Sequence, residues 1–206
     1  MKKHLYIFRH GQTIWNAEGR PQGQHEYPVP LTMHGREQAS SLAAKLIDKK
    51  IKVIISSDLL RARQTGEIVA EMLRVPIVLD ARLREIDYGI LNGLYTIERE
   101  DICPDFKKSY ENRDIPFPQG ESLQQVAQRF REAVVDVCKA YSYRAIGFSS
   151  HGHAITSLLE ELFGFKAARI ENCDYVHITY DPVKDKFEAV ELPPEAVAYK
   201  PLQANY

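Results

Sequence analysis

The stretch "LYIFRHG" (Leu5–Gly11) decides how the chain is read. Four apolar residues form a short strand candidate, and an arginine, a histidine and a glycine follow at once. A turn after a strand needs only the glycine. Arg9 and His10 repel one another when both are charged, so their juxtaposition calls for a chemical reason. The pattern recurs: "KVIISS" leads into "DLLRAR", and "AIGFSS" leads into "HGH". Each polar cluster follows the carboxyl end of an apolar strand. In a mostly parallel sheet those ends share one edge, where open α/β proteins place their ligands. Arg9, His10, Arg61, His151 and His153 are therefore expected to meet in one crevice.

The rest of the pattern agrees with an α/β sheet covered on both faces, with right-handed crossovers. Thr32 precedes "MHGREQASSLAAKLIDKK", where Ala39, Leu42, Ala43 and Leu46 recur at helical spacing. Asp58 is the expected N-cap of "LLRARQTGEIVAEMLR", and "VPIVLDARLREI" reads as one or two extended segments. Ser122 is the expected cap of "LQQVAQRFREAVVDVCKAY", with a stripe of Val126, Phe130, Val134 and Val137. "HAITSLLEELFG" reads as a helix closed by Gly164. "YVHITYD" and "FEAVEL" form a hairpin around "PVKD". "GRPQGQHEYPVP" reads as an extended loop, and residues 92–120 as a capping insertion.

With 206 residues, the chain fits a single domain spanning 1–206. A net charge of −1 and a pI near 6.7 argue against nucleic acid or a membrane surface as a partner. Three widely spaced cysteines, odd in number and without metal-ligand spacing, read as reduced thiols. "LYIF" is too short for a signal-peptide core, and no apolar run approaches membrane-spanning length. A cytoplasmic location is expected. The hairpin and the tail "PLQANY" are the segments placed to reach a second copy, as in a homodimer.

Arginines and histidines converging on one point suit a phosphoryl group. Guanidinium groups bind its oxygens bidentately, and N–H groups of Gly11, Gly152 and the helix after Asp58 add donors. A neutral histidine can attack phosphorus and form a phosphoramidate. Arg9 and Arg61 disfavour an imidazolium at His10, which accounts for the costly Arg–His pair. The departing alkoxide needs an acid. Glu85 and Asp87 in "LREIDYG" both qualify, and on an extended segment their spacing puts them on one face, so geometry leaves the choice open. A phosphate dianion beside the acid would hold its proton in place until transfer. Taken singly, "RHG", His–Gly–His and the helical arginines are ordinary features; Trp15 and Tyr88 read first as packing residues.

Together, "RHGQTIWNAEGRPQGQ", "PLTMHGREQA", "SSDLLRARQT", "LREIDYGILNG", "PQGESL" and "SSHGHA" resemble the histidine phosphatase superfamily, also called the phosphoglycerate mutase-like family. The resemblance implies a three-layer α/β/α sandwich with a mostly parallel mixed sheet, no metal, and an insertion that caps the pocket and sets substrate preference. It implies His10 as the phosphorylated nucleophile, Arg9, Arg61 and His151 as the phosphate pocket, and Glu85 rather than Asp87 as proton donor. Asn16, Gln22, Gly23, Gly152 and His153 match positions lining the site, with Gly11 and Tyr88 beside them. Gln12 stands where most members carry glutamate, which would make the pocket slightly more anion-friendly. "YGILNGL" is closer to the mutases than to the Trp-Glu-Gly of the phosphatases.

The expected activity is a metal-independent phosphomonoesterase acting on a small-molecule phosphomonoester, with no cofactor. The alternative is a bisphosphoglycerate-dependent phosphoglycerate mutase. Mutases carry cationic residues where this chain has Ile86 and Thr96, and a longer segment before "ESL". "FKKSYE" nevertheless resembles their paired-arginine segment. Lys107, Lys108 and Arg113 at the mouth would suit a second anionic group, and Tyr88, Tyr110 and Phe117 could face the pocket. A metal-dependent protein using His10, His151, His153 and Glu85 is disfavoured by the adjacent arginines, and a silent phospho-ligand module by the intact His10 and Glu85.

Overall fold

A computed structural model describes residues 1–192 and the backbone of residues 197–201. Residues 202–206, most of the "PLQANY" tail, lie outside the described residues. The central sheet is built from β1 (Lys3–Arg9), β2 (Ile54–Ser56), β3 (Ile77–Leu79), β4 (Ala145–Ser150), β6 (Tyr175–Asp181) and β7 (Lys186–Glu191), in the order β3-β2-β4-β1-β6-β7. The first four strands run parallel; β6 is antiparallel to β1, and β7 to β6. A short β5 (Phe165–Ala167) pairs with β8 (Val197–Pro201) in a separate two-stranded sheet that the sequence pattern did not announce.

The apolar runs are continuous because both faces of the sheet are buried. Leu5 and Ile7 point to one core, together with Val126, Phe130 and Val134 of α6 (Leu123–Ala140) and Ile155, Leu158 and Leu159 of α7 (Gly152–Phe163). Tyr6 and Phe8 point to the other, against Ala39, Leu42, Ala43 and Leu46 of α2 (Met33–Leu46) and Val69 and Ala70 of α3 (Leu60–Leu73). The sandwich is three layers deep, as expected. The short helix α1 (Ile14–Ala17) follows β1, and α4 (Thr96–Ile102) and α5 (Lys108–Glu111) lie in the 92–120 segment.

The caps mostly follow the sequence. Thr32 accepts from the Gly35 N–H, Ser122 makes a capping box with Gln125, and Gly164 ends α7 in the left-handed region. Asp58 does not cap α3. Its carboxylate is taken by Arg84, Leu59 occupies the cap position, and the Ser57 hydroxyl accepts from the Leu59 N–H.

Register places the site. Arg9 pairs with Ser150, and Ser56 with Ser149, so the carboxyl ends of β1, β2 and β4 stop level with one another. The loop leaving β1 then crosses the start of α2 at two glycines. A Cβ on Gly11 would lie 2.4 Å from the Gly35 carbonyl oxygen, and one on Gly35 would lie 2.1 Å from that of Gln12. Alanine for glycine in a helix ordinarily gains ~1 kcal/mol, whereas forcing atoms into a packed contact costs about 1–3 kcal/mol. Gly35→Ala is expected to lower stability, against the helix-propensity trend, and urea unfolding measures the sign. A stabilised variant would show that the crossing is slack.

Candidate active site

A cavity of about 520 Å³ opens at that edge. Arg9, His10, Asn16, Gln22, Gly23, Arg61, Glu85, Tyr88, Gly152 and His153 line it, which brings together most of the residues singled out from the sequence. Two are not on its wall. The Gly11 N–H donates to the Thr65 hydroxyl, 3.0 Å away, so it is spent inside the fold rather than offered to a ligand. His151 is fully buried behind His10, with ring centroids 5.2 Å apart and Nε2 2.9 Å from the Ser57 hydroxyl. Gln12 also turns away, its side-chain oxygen accepting from the Thr32 hydroxyl.

His10 is held in one tautomer. Its Nδ1 lies 2.7 Å from the Gly11 carbonyl oxygen, which can only accept, so Nδ1 carries the proton. Nε2 keeps its lone pair and accepts from Arg61 Nε at 3.3 Å. Burial, then Arg61 and Arg9, hold the ring's pKa well below the ordinary histidine value, while the Gly11 bond opposes them. His151 is pushed the same way by burial, Arg61 and His10.

Both arginines are buried with few partners. Arg9 Nη1 donates to the Ile170 carbonyl at 2.8 Å, and its Nε has no partner among the described residues. Arg61 Nη2 donates to the Gly23 carbonyl at 2.9 Å. Burial pushes Arg61 down to about 10, and nearby Glu85 opposes the shift. Gly23 sits in the left-handed region, where a Cβ would collide with Asn92 and Tyr88, so its identity serves the close approach of the loop.

Glu85 caps α7 from outside it. Oε1 accepts from Ala154 N at 3.0 Å and from Ile86 N, and Oε2 accepts from His153 N at a looser 3.3 Å. Asp87, its rival in the sequence, is absorbed in a turn, where it accepts from Gly89 N and the Asn92 amide. Arg129 of α6 holds the Glu85 segment: it donates to the carbonyls of Arg82, Arg84 and Glu85 and pairs with Glu121 at 2.7 Å. The Ser150 hydroxyl donates to Leu83 O, and that of Ser149 to Ala62 O, tying the strand ends to the Glu85 segment and to α3. None of these three residues stands out in the sequence, because Ser at a strand end and Arg on a helix are common.

Tyr88 links the wall to the 92–120 segment. Its hydroxyl lies 2.8 Å from His153 Nδ1, Phe117 meets its ring edge-on, and the Arg99 guanidinium stacks 4.2 Å over it. Tyr110 also lines the cavity. The expected basic mouth is elsewhere: Lys107 pairs with Glu100, Lys108 with Asp105 at 3.1 Å, and Arg113 with Glu160 at 3.0 Å. Arg20, Lys166 and Arg169 line the cavity instead. Among the described residues, no group of three or more His, Cys, Asp and Glu is disposed to hold a metal ion, and no helix is long and apolar enough to cross a membrane.

The chain is similar to known proteins along most of its length. The family described as histidine phosphatase superfamily (branch 1) matches residues 5–192. A protein named "Probable phosphoglycerate mutase GpmB" from Klebsiella pneumoniae (strain 342) is 35% identical over 183 residues, covering 85% of this chain and 84% of its own. A mycobacterial glucosyl-3-phosphoglycerate phosphatase solved with VO3 superposes with a TM-score of 0.84 at 25% identity, covering 92% of this chain and 98% of its own. Bacillus stearothermophilus YhfR gives 0.82 at 29% identity, covering 91% and 95%.

The histidine shifts give a pH prediction. The folded pKa values of His10 and His151 are lowered, chiefly by burial, so near and below the ordinary value of about 6.5 the unfolded chain binds protons that the folded site refuses. Stability should fall as pH drops from 7 towards 5. His10→Gln should flatten that slope by up to about 1.4 kcal/mol per pH unit, as read from urea midpoints. An unchanged slope would mean that His10 titrates alike in both states.

Proposed function

This chain belongs to the histidine phosphatase superfamily, and from that premise we propose that it is a phosphomonoesterase working through a phosphohistidine on His10. The observation that carries the reading is the His10 ring itself. Gly11 O holds the proton on Nδ1, so the lone pair on Nε2 faces the cavity beside Arg61. Arg9 and Arg61 would clamp the phosphoryl oxygens, with Asn16, Gln22 and the Gly152 N–H as further contacts. A phosphoryl group seated there would replace the long Arg61 contact at Nε2.

In the first step Nε2 attacks phosphorus, the N–P bond forms and the bond to the ester oxygen breaks. Glu85 gives its proton to the departing alkoxide, and Oε2, with the looser of its backbone bonds, is the oxygen placed to carry it. The positive charge that develops on the ring is met by the Gly11 carbonyl at Nδ1–H. In the second step water attacks phosphorus, Glu85 takes a proton from it, the N–P bond breaks, and inorganic phosphate leaves. His10 returns to its neutral state and Glu85 to its acid form. His151, buried against His10, supports the nucleophile from behind.

The alternative, a bisphosphoglycerate-primed mutase, is favoured by the name of the relative from Klebsiella. Against it, Lys107 and Lys108 are engaged with surface carboxylates, and Ile86 is buried in the core. A metal-assisted reaction is disfavoured by two guanidinium groups at the nucleophile.

The wild-type protein is expected to release phosphate from simple phosphomonoesters in EDTA with no bisphosphoglycerate added. His10→Ala should abolish release together with an acid-labile phosphoenzyme, and Glu85→Gln should lower kcat by about 10²- to 10⁴-fold. Silence that is relieved only by bisphosphoglycerate, with interconversion of phosphoglycerates, would assign the chain to the mutases.

A further inference from the structure

The cavity runs well beyond the space a phosphoryl group needs. Gly152, His153, Thr156, Ser157 and Glu160 of α7 all line it, and their spacing forms one helical stripe. At about 1.5 Å per residue, roughly 12 Å of helix separates Gly152 from Glu160. The first two residues serve the phosphate end. The outer part of the stripe faces Tyr110, Leu123 and Ala167.

Two polar groups in that outer lobe have bonding capacity to spare. Ser157 is 2% exposed, and its hydroxyl has no partner among the described residues. A helical serine commonly bonds back to the carbonyl four residues earlier; here that carbonyl, on His153, already accepts from the Thr156 hydroxyl at 3.2 Å. Glu160 is pinned from behind. Arg113 donates to its Oε2 and to the Ser157 carbonyl, each at 3.0 Å, and the Ala167 N–H donates to Oε1 at 3.1 Å. Each carboxylate oxygen can accept a further bond. Arg113 thus orients the ligand-reading groups rather than reading the ligand.

Resting on the phosphomonoesterase reading above, we propose that Ser157 and Glu160 form a subsite for the hydroxyl groups of the leaving alcohol. The substrate class is then the monophosphate of an uncharged polyhydroxy compound, a polyol or a sugar. A buried, unpaired hydroxyl is costly until a ligand hydroxyl bonds it, and a carboxylate beside it selects hydroxyl donors over anions. Arg113 pairs with Glu160 and Arg169 with Glu171 at 3.2 Å, so of the cations lining the cavity or backing the subsite, Arg9 and Arg61 at the phosphate end aside, only Arg20 and Lys166 have no carboxylate partner among the described residues.

The test compares steady-state kinetics on a set of hexose and pentitol monophosphates, on 3-phosphoglycerate and on 4-nitrophenyl phosphate. Ser157→Ala and Glu160→Gln should each raise KM for the preferred sugar or polyol phosphate about tenfold more than KM for the aryl ester. Equal effects on both would make the two residues merely structural and overturn the proposal. So would a wild-type preference for 3-phosphoglycerate that Lys166→Ala removes, because the lobe would then read a carboxylate. Calorimetric binding of the same sugar phosphates to the His10→Ala protein, with and without Ser157→Ala, needs no turnover. Weakening on loss of the hydroxyl supports the subsite even where catalysis fails, whereas identical binding sinks it even where catalysis succeeds.

Discussion

Two guanidinium groups buried at the carboxyl edge of the sheet, with carbonyl oxygens and a histidine ring as their direct partners, are the constraint around which this molecule is organised. Burial lowers the proton affinity of both, reinforced at Arg9 by Arg169 and at Arg61 by Arg9. Removing such charges from water is expensive, and a fold keeps them only where opposite charge can reach them. Glu85 supplies part of that charge from within the chain. In its acid form it supplies none, and the pair then matches a dianion. The cost of the site and the ligand proposed for it thus have one electrostatic origin.

Holding that arrangement falls to groups far from the chemistry in sequence. Arg129 gathers three carbonyls ahead of the site, and Ser149 and Ser150 bolt the strand ends to their neighbours. Gly11 and Gly35 let the β1 loop cross α2 at backbone contact. Glu85 fastens α7 by its first N–H groups. The carboxylate that closes the helix is also the acid in the proposed reaction, so the start of α7 and the proposed proton donor are positioned by one set of bonds.

Much of this was legible in the residues. The apolar run "LYIF", the helical stripes, and the polar clusters after each strand all depend on neighbours close in sequence. What escaped depends on partners distant in sequence. Asp58 reads as a helix cap until Arg84 claims it. Lys107 and Lys108 read as a basic mouth until Glu100 and Asp105 neutralise them. Gly11 reads as a phosphate donor until Thr65 takes its N–H. Spacing cannot separate Glu85 from Asp87, whereas the turn that consumes Asp87 does. In each case the residue type was right for the expected role, and a competing partner decided its use.

On the proposed phosphomonoesterase reading, the electrostatics also bear on how one pocket would serve two chemical steps. The nucleophile must be neutral while the acid beside it is protonated, and a positive field favours only the first of these. Arg9 and Arg61 keep His10 neutral, but they favour the ionised form of a nearby carboxyl. A phosphate dianion bound as proposed would oppose that balance at Glu85, because it would offset the guanidinium charges and stand close to the carboxyl itself. The proposed acid would thus be loaded only by the substrate. Once the alcohol left with that proton, Glu85 would be a carboxylate beside a phosphorylated ring, which is the state needed to draw a proton from water. On that reading the substrate would set the protonation of its own catalyst, and the two arginines would make the site responsive to it.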